Sequence, residues 1–161
     1  MKRLILIRHG KSSREHNVTD KKRPLKERAY NDAALVLEVF KQFQEEKPFI
    51  WSSPATRAQS TAKIFKDELN IDDNNFEIIE PLYTFEEKEL LNTIKTCPNE
   101  IDTLMVFGHN PAMTEVVNTL GDKEFENVPT TGLNVIDFEV HKWPELDKGK
   151  NILHLFPKNL R

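Results

Sequence analysis

Three short clusters in this chain carry groups able to do chemistry on an anion: Arg8-His9-Gly10, Ser52-Ser53-Pro54-Ala55-Thr56-Arg57-Ala58 and Gly108-His109-Asn110-Pro111. Pooled, they offer two arginines, two histidines and several hydroxyls. Guanidinium forks match the oxygens of a phosphoryl group in charge and geometry. A helix N-terminus near each loop would favour an anion as well. A metal centre fits less well. Two histidines without carboxylate or thiolate partners are too few ligands, and adjacent cations would repel a divalent ion. The expectation is an anion site with no metal and no cofactor.

These clusters need elements that bring them together. Leu4-Ile5-Leu6-Ile7 is a short apolar run ending at Arg8, and it reads as a buried strand over residues 3–8. Phe49-Ile50-Trp51 and Thr103-Leu104-Met105-Val106-Phe107 read the same way and end at the other two clusters. If these strands are parallel, all three clusters meet at one sheet edge, where open α/β sheets place their ligand sites. Helical spacing predicts a helix over 29–46, with Ala33, Val36, Leu37, Phe40 and Phe43 inward, and another after Pro54, with Ala58, Ala62, Phe65 and Leu69 inward. Weaker signals place a strand at 76–79 and a helix at 86–96. Met113, Val116, Val117 and Leu120 form a further stripe, which Gly121 would close as a left-handed C′ residue. Strands at 132–140 and 152–156 would come last, with an antiparallel arrangement open to them. Alternation of strand and helix predicts an α/β protein, a three-layer α/β/α sandwich around a mostly parallel sheet. The polar segment from Lys11 to Lys26 is long for a connection and reads as a functional loop.

Composition narrows the function classes. The chain has 161 residues, enough for one domain, with 38% apolar and 30% charged residues. A net charge of −3 gives no basic field for nucleic acid. Lys21-Lys22-Arg23 is small enough to be a solvated loop. The single Cys97 rules out an internal disulfide and suits a reducing compartment. No apolar run approaches the roughly 20 residues of a membrane span, and the run after Met1-Lys2-Arg3 is short for a signal peptide. A cytoplasmic monomer with a phosphorylated substrate and no nucleic-acid or membrane partner is expected.

In order along the chain, Leu6-Ile7-Arg8-His9-Gly10-Lys11-Ser12-Ser13, Asp20 with Arg23-Pro24-Leu25-Lys26-Glu27-Arg28, Ser52 to Ala58 with Ser60-Thr61-Ala62, and Gly108-His109-Asn110-Pro111 make a set. This set resembles the signatures of the histidine phosphatase, or phosphoglycerate mutase-like, superfamily, and most closely its small branch of SixA-type phosphohistidine phosphatases. Thr130-Thr131-Gly132 before a strand is also similar. The resemblance spans nearly the whole chain as a single domain, 1–161, of phosphoglycerate mutase-like fold. It implies that His9 is the nucleophile, that Arg8, Arg57 and His109 surround the phosphoryl group, and that backbone near Asn110 helps to bind it. Ser12 would lend a hydroxyl to phosphate or cap a turn. Asp20 and Arg23 would contact substrate or order their loop, and Thr131 would serve the site or simply form strand.

Departures from the family pattern carry information. Ala29 stands where the branch usually has glycine, so position 29 does not need a positive φ. Lys11 stands where larger members often have a carboxylate. Those members also draw a carboxylate general acid from an inserted region for which this chain has little room. Glu86 is the candidate for that role, against a plain reading of Glu86 and Glu87 as a solvated helix start. A serine alkoxide needs a strong acid to leave, whereas imidazole needs less help. The expected function is therefore a metal-independent phosphatase acting through phospho-His9 on phosphohistidine in proteins. The alternatives are a small-molecule phosphomonoesterase of the same superfamily and a non-catalytic phosphate-binding module. His16, His141 and His154 lack such motifs and read as surface or structural residues.

Overall fold

A computed structural model describes residues 1–161. Its six strands are β1 (Lys2–Arg8), β2 (Phe49–Ser52), β3 (Phe76–Ile78), β4 (Thr103–Gly108), β5 (Leu133–Phe138) and β6 (Lys150–Leu155). The four helices are α1 (Glu27–Phe43), α2 (Thr56–Glu68), α3 (Glu87–Ile94) and α4 (Ala112–Leu120). The strands form one sheet in the order β3-β2-β4-β1-β5-β6. Pairing is parallel from β3 through β1, and antiparallel for β1 with β5 and β5 with β6. The three strands that carry the chemical clusters are therefore adjacent and parallel, and Arg8 lies level with Gly108 at their carboxyl ends.

Side-chain alternation along the strands builds a core on each face of the sheet. Leu4 and Leu6 of β1 join Leu104 and Val106 of β4 against α3 and α4, through Leu90, Ile94, Met113 and Val116. Ile5 and Ile7 join Met105 and Phe107 against α1 and α2, through Ala33, Val36, Phe40 and Phe65. Both faces of β1 and β4 are covered, so these strands are apolar throughout. The result is a three-layer α/β/α sandwich.

Element ends differ from expectation where caps replace periodicity. The α1 helix ends at Phe43 rather than at residue 46, as Gln44 turns extended and donates its N–H to the Phe40 carbonyl. Gly121 is not left-handed: its φ is −90° and ψ is 173°. The glycine is there for space, because a Cβ at this position would lie 2.3 Å from Asn151 Oδ1, the atom that accepts the N–H groups of Asp122 and Lys123. The last two strands start and stop one or two residues away from the apolar pattern, and a bulge near Val135 and Ile136 shifts their register.

Candidate active site

The carboxyl ends of β1, β2 and β4 deliver the three clusters to one cavity of about 360 Å³. His9, Arg57 and His109 are buried there, and Arg8 is half-buried beside them. The Nδ1 atom of His9 lies 2.7 Å from the Gly10 carbonyl oxygen. A carbonyl only accepts, so the ring proton sits on Nδ1 and the lone pair is on Nε2. Arg57 Nε–H donates to that lone pair at 3.3 Å. His9 is thus a neutral imidazole with its basic nitrogen facing a guanidinium. Burial above all, then the charges of Arg57, Arg8 and Arg23, bring its pKa down to about 3 despite the Gly10 bond.

His109 stands next to it, with ring centroids 5.2 Å apart. Its Nε2 is 2.7 Å from Ser53 Oγ, which also accepts the Ala55 N–H. The buried Ser53 hydroxyl has no other protein acceptor, so its one proton goes to Nε2 and the ring proton of His109 falls on Nδ1. That atom is buried without a protein partner and is a donor free for a phosphoryl oxygen. Burial, then the proximity of His9 and Arg57, lowers the His109 pKa to about 3 as well.

Two features hold the nucleophile in place. Gly10 N–H donates to Thr61 Oγ1 at 2.9 Å, while that hydroxyl donates to the Arg57 carbonyl. Thr131 N–H donates to the carbonyls of both Arg8 and His9, at 2.9 and 3.1 Å. To do so Thr131 adopts a φ of 61°, an unfavourable setting for a β-branched residue that costs on the order of 1–3 kcal/mol. Thr131 is fully buried and does not line the cavity, where Thr130 does. Its place is behind the wall, and the expectation that it contacts substrate is corrected.

The Lys11–Lys26 segment folds back on itself. Ser12 bridges to Leu25, Ser13 N–H donates to the Pro24 carbonyl and Lys26 N–H to the Lys11 carbonyl. The loop brings Asp20 to Arg57, whose two terminal nitrogens donate to the Asp20 carbonyl (2.7 Å) and carboxylate (3.0 Å). Arg23 also pairs with this carboxylate, and Tyr83 Oη donates to it at 2.6 Å. Partial burial pushes the Asp20 carboxyl up, yet the bonds from Tyr83 and Arg57 win and hold it at about 2. Asp20 and Arg23 both order the loop and line the cavity, as does Ser12. Asn110 lines it too, but its side chain is committed. Its Oδ1 accepts from Thr114 N–H and hydroxyl, and its Nδ2 donates to Asn127 and the Val128 carbonyl. Glu86 is exposed at the start of α3 and is not part of the wall. Its assignment as general acid is corrected on position.

The wall holds five cationic side chains (Arg8, Lys11, Arg14, Arg23 and Arg57) against the one carboxylate of Asp20, in a chain of net charge −3. This local excess suits a dianion. No group of three or more histidine, cysteine or carboxylate side chains converges to hold a metal ion. Arg14, Tyr83, Phe85 and the positioning hydroxyls of Ser53 and Thr61 join the site only through the structure. Ser53 and Thr61 sit inside the quoted motifs, so proximity to Arg57 was a usable signal. Tyr83 and Phe85 had none beyond two aromatics before a helix.

A parallel-stranded α/β sandwich with two arginines and two neutral histidines at its carboxyl edge defines an anion-handling site of one class. Residues 4–80 match the histidine phosphatase superfamily (branch 1). No curated protein matches the sequence. Among solved structures, the chain is similar to the protein histidine phosphatase SixA complexed with tungstate (TM-score 0.80, 20% identity, 99% of each chain covered). It is also similar to a SixA assigned as a candidate phosphohistidine phosphatase from Agrobacterium tumefaciens (TM-score 0.77, 24% identity, 96% of this chain and 97% of that one). A mycobacterial glucosyl-3-phosphoglycerate phosphatase with inorganic phosphate matches at TM-score 0.67 and 12% identity, over 95% of this chain and 96% of that one. At these identities the likenesses concern the fold. The fold expected from sequence, a phosphoglycerate mutase-like three-layer sandwich, is the one observed.

Proposed function

We propose that this protein is a metal-independent phosphatase that works through a phosphohistidine on His9 and takes phosphohistidine in proteins as its substrate, as a cytoplasmic monomer. In the first step the lone pair on His9 Nε2 leaves the Arg57 Nε–H and forms a bond to phosphorus while the P–N bond to the substrate imidazole breaks. The leaving ring keeps that electron pair and departs as neutral imidazole, with its ring proton taken from solvent on the other nitrogen. In the second step a water oxygen attacks phosphorus, the His9–P bond breaks, and His9 regains its lone pair as phosphate and a proton are released. Arg8, Arg57 and His109 Nδ1–H stabilise the equatorial oxygens in both steps.

The observation that carries the substrate choice is the acid inventory of the cavity. Its one carboxyl group, Asp20, is held ionised at about 2, so no protonated acid is available for an alkoxide. An alkoxide leaving group needs that proton from the cavity in the transition state, whereas a ring protonated by solvent on its other nitrogen leaves as imidazole, a weak base with a pKa of about 6.5. The exposed Lys11, Arg14 and Phe85 at the rim suit access by a side chain on a protein surface. The test is turnover of phosphohistidine-bearing carrier proteins against a panel of sugar phosphates and phosphoserine. The proposal expects kcat/KM to favour the carrier proteins by at least about 100-fold, the scale of one general-acid contribution. Comparable values on both sets would overturn it in favour of a small-molecule phosphomonoesterase.

A further inference from the structure

One position in the cavity wall breaks its polar character. Phe85 is the only apolar residue lining it, and 46% of its surface is exposed. A large ring left in water forgoes the stabilisation that burial would bring. The backbone around it is fixed rather than loose. Thr84 Oγ1 accepts the Glu86 N–H, and the buried Leu82 and Leu90 anchor the chain on either side. Phe85 stands edge-to-face with His109 at 5.7 Å and with Tyr83 at 5.8 Å. Tyr83 is already occupied, with its hydroxyl on Asp20 and Lys21 Nζ 5.8 Å from its ring centre. Phe85 has no such tie.

Placement at the mouth gives this ring a role. In-line transfer to His9 expels the leaving group on the side away from His9. His109 neighbours His9, and Phe85 neighbours His109 at the exposed rim. We propose that Phe85 is a specificity-determining residue whose exposed face receives the planar ring of the leaving group, imidazole above all, and so selects phosphorylated rings over phosphorylated chains. The inference rests on the phosphatase reading above and adds the residue that recognises what leaves. Aromatic pair energies correspond to about three- to tenfold in kcat/KM.

The experiment uses two matched substrate pairs: phosphoimidazole with phosphoramidate for P–N bonds, and phenyl phosphate with ethyl phosphate for P–O bonds. Phe85→Ala and Phe85→Leu should lower the ratio of ring-bearing to ring-free kcat/KM by about three- to tenfold, and Phe85→Tyr should keep it. Leu is included because it retains apolar bulk without the π face. An unchanged ratio in both pairs overturns the inference, and a fall confined to the phenyl pair overturns the choice of imidazole. Calorimetric binding of phenylphosphonate against methylphosphonate reads the ring contact without turnover. The wild type should prefer the phenyl compound, and Phe85→Ala should erase the preference. Equal affinities in the wild type overturn the inference even if the phosphatase activity stands. Inactivity on all four substrates with the phenyl preference intact would instead sink the phosphatase reading and leave the ring contact supported.

Discussion

Replacing Gly10 by alanine tests how the nucleophile is seated. A Cβ at this position would lie 2.8 Å from Ala29 Cβ, and 3.3 Å from both Leu25 Cδ2 and Thr131 Oγ1. Carbon atoms rest about 3.5–4.0 Å apart, so roughly 0.7–1.2 Å must open between β1 and the first turn of α1. Ala29 is fully buried and Gly10 N–H is tied to Thr61, so neither side yields easily. Overpacking of this kind costs about 1–3 kcal/mol. In a domain of this size that is a Tm lower by about 2–12 °C. Ala29→Gly removes the opposing methyl group and by itself costs about 0.5–1 kcal/mol through helix propensity. The double variant should therefore be less destabilised than the sum of the two, with a coupling of about 1–2 kcal/mol. Leu25 and Thr131 remain in place, so rescue is partial. Urea denaturation of the wild type, both single variants and the double variant gives the cycle. Strictly additive losses would refute the argument that Gly10 is glycine because Ala29 touches it.

Other consequences of the geometry are as direct. Arg57→Lys keeps a positive charge but removes the Nε–H that reaches His9 and the fork that reaches Asp20; steady-state kinetics should show kcat lower by about 100–1000-fold. Retention of more than about a tenth of wild-type kcat would mean that a point charge suffices. The two buried histidines also set a pH dependence of stability. Their folded pKa values of about 3 lie below the unfolded value, so the unfolded chain binds more protons and stability falls as pH drops from about 6.5 toward 3. Each histidine should remove about 2 kcal/mol between pH 7 and pH 5. Asp20, held at about 2, adds nothing until below about pH 4. Denaturation midpoints that do not move between pH 7 and pH 5 would refute the buried, neutral assignment.

Much of this site is legible in the sequence because its chemistry lies at strand ends. Arg8-His9, Arg57 and His109 follow apolar runs, and β1, β2 and β4 are buried on both faces, which is what makes their runs continuous. The fold class followed from the same alternation. Side-chain commitments were not legible. The motif around Asn110 gave no sign that its side chain caps the start of α4 through Thr114. Thr131 looked like a contact, yet its backbone clamps the end of β1 from behind. Gly121 looked like a left-handed cap, whereas its φ is not positive and the close approach of Asn151 sets it. Such roles depend on which residues from distant segments arrive alongside, and local sequence does not carry that.

The central claim is that His9 carries the phosphoryl group during turnover. The direct measurement is rapid quench of wild type with labelled phosphoramidate, followed by mapping of the phosphorylated peptide. The account predicts an acid-labile, base-stable adduct on His9, lost in His9→Ala while circular dichroism shows the fold intact. An adduct on His109 or any other residue, or turnover with no adduct at any quench time, would contradict it.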